Sequence, residues 1–126
     1  MSGLKTFAAL VFGLTMVPEP SPASDDLPRI FANCAGQLSA MVEHSWLMQD
    51  AKADTYAAQR AQFLDLLDAV DGPSTAQSLN RRIDAKAAQA GLLREAAFGR
   101  DRESAYHAAQ RAEAIVAQCR VLLLGG

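Results

Sequence analysis

Two cysteines, two histidines and a methionine beside the only tryptophan are the side chains of this 126-residue chain most able to do chemistry. Cys34 sits in "ANCAGQLSAM" and Cys119 near the C-terminal end. A thiol can ligate a metal, attack an electrophile, exchange electrons or close a bridge. No C-x-x-C or C-x-x-C-H is present, and His44 and His107 lie too far off in sequence to complete a zinc-site spacing. A reactive thiol wants a polar, partly exposed, cation-rich setting, whereas both cysteines fall on apolar helical stripes. The expected chemistry is therefore a structural disulfide between Cys34 and Cys119.

At 100° per residue, His44 and His107 lie roughly 90 to 120° from the centres of their stripes, which places both on a flank or at the surface. An alternative use of the bundle interior is a small-ligand or haem carrier, in the manner of b-type and c'-type cytochromes, with Met48 and His107 as ligands at one end. The chain departs from such proteins in having no attachment motif and no histidine pointing into the core. Glu43, Asp65, Asp68 and Glu95 form no arrangement beyond solvated faces, so no acid pair for hydrolysis is formed. G-x-S-x-G, H-E-x-x-H, a phosphate-binding glycine loop and a calcium loop are all missing. The expectation is a non-enzymatic protein with no cofactor and no metal.

"SWLMQD", residues 45–50, places Trp46 and Leu47 outside the main stripe of their helix and next to Met48. The plainer expectation is that they cover a hairpin turn and pack on Tyr56 or on the start of the fourth helix. Left exposed, they form a contact surface for a protein partner or for a second copy in a homodimer.

Helices must position all of these groups, because every segment between the prolines and glycines has helical period and none alternates as a strand. Leu27, Phe31, Cys34, Leu38, Met41, Val42 and Met48 define a first helix over about 27–48, with Asp26 as cap and Pro28 in its first turn. Tyr56, Phe63, Leu64, Leu67 and Val70 define a second over about 54–71, stopped by Gly72-Pro73. Ser74 with Gln77 forms a capping-box pair that opens a third, whose stripe reads Ala76, Leu79, Ile83, Ala87, Ala90 and Leu93, ending at Gly99. Asp101 caps a fourth with Ala105, Ala108, Ala112, Ile115, Val116, Cys119 and Leu122. Gly91, inside the third helix, marks a close crossing, a kink or a tolerated substitution.

Short loops favour antiparallel neighbours, which predicts an all-α, up-down-up-down four-helix bundle. In that arrangement the start of the first helix meets the end of the fourth. At about 1.5 Å rise per residue, Cys34 lies about 10 Å into its helix and Cys119 about 6 Å from the end of its own, so the thiols sit at similar heights. Ala35, Gly36 and Ala117 leave room for the approach that a bridge needs.

The N-terminus sets the compartment. "MSGLKTFAALVFGLTMVPEPSPAS" has Lys5, an apolar run from about Phe7 to Val17, and Ser21 and Ala23 in small-x-small positions, which predicts a signal peptide over 1–23 and a helical domain over 24–126. The run is too short for a bilayer span of roughly 20 residues, and no cysteine follows it to accept a lipid, so no stable membrane anchor remains after cleavage. A periplasmic or secreted location follows, and it is oxidising. The chain resembles, in type and not in motif, short exported helical proteins of Gram-negative bacteria, a likeness that implies no activity. The L-T-x-x-Q repeats of small periplasmic stress chaperones are absent.

Net charge is -2 overall. Asp25–Gly72 carries eight acidic and three basic residues, and Pro73–Gly126 five acidic and eight basic. Two hairpins of opposite sign that attract weakly account for this. Nucleic acid is not an expected partner, because the arginines are spread along helical faces among acids.

Overall fold

A computed structural model describes Gly13, residues 22–72 and residues 75–124. The expected signal segment lies outside these apart from Gly13, Pro22 and Ala23. Four helices follow one another: α1 Pro22–Leu47, α2 Ala53–Asp71, α3 Ala76–Phe98 and α4 Arg102–Leu123. They form the expected up-down-up-down bundle, with no strand among the described residues and no helix there long and apolar enough to cross a membrane.

Helix α1 is the hub. Ala32, Cys34, Ala35, Leu38, Ala40, Met41, Val42 and Ser45 are all buried, so most of its circumference faces protein. It packs chiefly on α3 and α2, while α4 packs chiefly on α3. The parallel run of α1 and α3 is fixed by Gly36 against Arg82 and Ala85, and by the Glu43–Lys86 ion pair further along. On the other side, Phe63 of α2 is fully buried and its ring centroid lies 6.0 Å from that of Phe31.

Local chemistry explains most of the helix ends. Gly72 stops α2 with a φ of 68°, a backbone state that favours glycine. Asp101 caps α4 as expected, accepting from the amides of Glu103 and Ser104 at 3.4 and 3.3 Å. Two ends differ from the sequence reading. The cap of α3 is Thr75, which accepts from the Ser78 amide at 3.1 Å, and Ser74 lies outside the described residues. Asp26 does not cap α1, because that helix begins at Pro22 with Pro28 inside it; Asp26 instead pairs with Arg29 at 2.9 Å one turn on. Pro28, expected in the first turn, therefore lies in the helix interior, where it has no amide hydrogen to donate to the carbonyl four residues back.

The larger correction concerns α3. Of the predicted stripe Leu93 is buried and Ala90 half-buried, yet Leu79 and Ile83 are 47% and 55% exposed and Ala76 and Ala87 are exposed too, whereas Ser78 and Gln89, off the stripe, are buried. The physical reason is the crossing with α1. A Cβ at Gly36 would lie 2.2 Å from the Arg82 carbonyl oxygen, so the two backbones nearly touch and only small or slender side chains fit between them. Gly36 serves this contact in addition to lying beside Cys34. Gly91, by contrast, has nothing within 4 Å of an added Cβ and is a tolerated glycine in an exposed position. At the stripe ends, Leu27, Met48, Val70 and Leu122 are also exposed where the period predicts burial.

Candidate functional site

Cys34 and Cys119 are joined by a disulfide with their Cα atoms 5.7 Å apart. Both are buried, and the bridge ties α1 to α4 where those helices otherwise touch little. Gln37 lies against it, with Oε1 3.3 Å from Cys119 Sγ. A bridged sulfur has no proton to donate, so this is a packing contact. The bridge has no free thiolate and is a staple, not a nucleophile.

The opposite end of α1 is different. Trp46, Leu47 and Met48 are 61%, 68% and 50% exposed, so they do not pack on Tyr56 or on α4. The chain reverses directly after them: the Asp50 amide returns to the Ser45 carbonyl at 2.8 Å and Gln49 takes a positive φ of 55°. This reversal turns the chain toward α2 and leaves the preceding side chains outside.

Leu47 borders a groove of about 350 Å³ between α1 and α3, lined also by Ala40, Leu93, Arg94 and Phe98. Phe98, 61% exposed, stands across the groove from Leu47. Because α1 and α3 run parallel, their last turns lie at one end, and both finish in apolar residues. His44 and Glu43 line the groove with Arg94, and Glu43 is held by Lys86. Sequence reasoning missed Phe98. Its signal was its place on the same stripe as Leu79 and Ile83, immediately before the Gly99 stop.

Other candidates do not converge. His107 is exposed and lies 3.8 Å from Glu103 on its own helix, and Met48 is exposed at the end of α1, so neither is turned toward the interior. Asp65, Asp68 and Glu95 are likewise exposed. Among the described residues no three His, Cys, Asp or Glu side chains gather in a metal-binding group.

Tyr56 is the buried ionisable side chain nearest this end, 4% exposed. Burial raises its phenol above the ordinary 10.0; the Glu113 carboxylate adds to the rise, and Arg120 acts against it. Gln89 is 1% exposed, donates to the Ala112 carbonyl at 3.0 Å, and has no partner for its Oε1. It packs between α1 and α4 from α3, and Phe63, Leu38, Val42, Val116 and Cys119 are the other large side chains that are fully buried.

Comparison with known proteins brings no relative: no family model, no curated protein and no solved structure matches the chain.

Proposed function

We propose that this protein is an exported, non-enzymatic binding or accessory protein that meets a protein partner through the apolar end of α1. The carrying observation is the exposure of three consecutive apolar side chains, Trp46, Leu47 and Met48, at the turn between α1 and α2. Exposed apolar groups of this kind are retained at contact sites, and tryptophan is among the residues that contribute most to binding energy there. The disulfide supports the location, since such bridges persist in oxidising compartments.

A photo-reactive amino acid placed at Met48, which does not line the groove between α1 and α3, and activated in cells tests the reading. A discrete cross-linked product that Trp46→Ala abolishes is the expected result. Cross-linking no stronger than from the same group at Ala58, an exposed position on α2, would overturn it. Export is tested separately by intact mass: a chain starting at Ser24 and about 2 Da lighter than its reduced form.

A second reading, carriage of a small apolar molecule, draws on the groove beside Leu47, whose volume of about 350 Å³ lies at the low end for ligand sites. It makes use of that groove and not of the filled interior. A fluorescent apolar probe displaced by Phe98→Asp would support it, and no probe binding would remove it.

A further inference from the structure

The outer face of α3 carries a second apolar stripe, and we propose that it forms a twofold homodimer interface in which the α3 helices of two copies pack antiparallel. The stripe consists of Leu79, Ile83, Ala87, Ala90, Arg94 and Phe98. Leu79, Ile83 and Phe98 are 47%, 55% and 61% exposed, and Ala87 and Arg94 are also exposed. Within the protomer only Ala90 of this stripe is half-buried against the core, and the crossing at Gly36 turns a neighbouring face of α3 inward.

A second copy of this chain fits the stripe in both spacing and charge. From Leu79 to Phe98 the stripe advances by four, four, three, four and four residues, which reads the same in either direction. An antiparallel second copy therefore places Leu79 opposite Phe98 of that copy, Ile83 opposite its Arg94, and Ala87 opposite its Ala90. Two alanines at the twofold axis allow the helices to approach closely, and large side chains fill both ends. An isologous interface requires this self-complementarity. At about 1.5 Å per residue the seam runs about 29 Å along α3.

Shape and charge agree with the pairing. The groove beside Leu47 and Phe98 opens where Leu79 of the second copy arrives. A smaller hollow of about 200 Å³, lined by Gly36, Ser39, Leu79 and Ile83, lies at the other end of the same seam. Arg94 stands opposite Ile83 of the second copy, within reach of the adjoining Asp84. Among the described residues neither Arg94 nor Asp84 has an ion pair within its own protomer. A dimer supplies one to each, twice by symmetry.

Light scattering and sedimentation of the oxidised mature protein, at concentrations reaching hundreds of micromolar, test the proposal. The expected result is a reversible dimer that Ala87→Glu converts to monomer with helical content unchanged. Arg94→Asp and Asp84→Arg each weaken dimerisation about tenfold, and the double variant recovers most of it, as coupled sites do. A monomer at every concentration would overturn the interface. A dimer insensitive to Ala87→Glu would do the same, and charge reversals that fail to compensate would overturn the antiparallel register. Trp46 does not line the groove, so Trp46→Ala leaves the dimer intact, and failure of this proposal is distinguishable from failure of the partner reading.

Discussion

Gly36 of α1 meets the backbone of Arg82 in α3 so closely that a Cβ would lie 2.2 Å from the carbonyl oxygen and 3.1 Å from the Ala85 Cβ. The obstacle is backbone, which cannot swing aside as a flexible side chain can. Gly36→Ala must push the helices apart, and overpacking of this kind costs about 1 to 3 kcal/mol or more. Urea unfolding should show the loss, with a lowered midpoint.

Gly91 provides the opposite case on the other helix of the same pair. With open space around an added Cβ, Gly91→Ala removes the entropic cost of glycine in a helix interior, and stability should rise by up to about 1 kcal/mol. The same urea experiment reads both signs. No gain would mean that the backbone at Gly91 is strained or contacted in solution.

The contrast between these glycines shows where sequence patterning stops being informative. Leu38, Met41, Phe63, Leu67, Ala112, Val116 and Cys119 are buried where their period places them, because α2 and α4 each present one dominant apolar face and α1 is buried around most of its circumference. Cys34 and Cys119 meet for the same reason: correct stripes and alternating helix directions bring them to one height. Helix α3 has two candidate faces, and periodicity favours the one with Leu79 and Ile83. Only the closeness of the α1 crossing selects the face with Ser78, Ala85 and Gln89, and that closeness is a property of Gly36 on a different helix. Exposure of Trp46 was equally hidden, since it depends on where α1 ends and how the chain reverses at Gln49.

Reduction of the bridge should remove a large part of the stability. The cysteines are 85 residues apart, and closing a loop of that length in the unfolded chain is worth roughly 4 to 5 kcal/mol in the chain-entropy treatment. The double variant Cys34→Ser with Cys119→Ser should show a loss of that order against the oxidised protein. Because Cys119 is 2% exposed, reduction requires opening, and its rate should climb with urea below the unfolding transition. A fast, urea-independent rate would place the bridge at an accessible surface.

Gln89 presents a prediction with a favourable sign. Its amide donates to the Ala112 carbonyl at 3.0 Å, but its Oε1 is buried without a partner. An orphaned buried acceptor costs about 1 to 3 kcal/mol, against about 1 kcal/mol from the bond that is made. Methionine has a similar length and would face Met41, whose sulfur now lies 3.4 Å from the Gln89 amide nitrogen. Gln89→Met should therefore stabilise by about 1 kcal/mol, measured as a higher melting temperature. A destabilised variant would show that the bond to Ala112 outweighs the cost of the orphaned oxygen.

The acid limb of stability should contain the cap of α4. Asp101 titrates below its ordinary 3.8, first because the Ser104 hydroxyl donates to its carboxylate and then because the amides of Ser104 and Glu103 do. A depressed folded value means that the unfolded chain takes up the proton more readily. The contribution is therefore fully present above the unfolded value and is lost as pH falls through the folded one. Asp101→Asn keeps an oxygen to accept from the amides but cannot titrate, so its stability should decline less steeply than that of the parent between about pH 5 and pH 2. Carbon-detected NMR titration of the Asp101 carboxyl gives the direct check: a midpoint below the ordinary value supports the cap, and an unshifted midpoint would mean that the three hydrogen bonds do not persist in solution.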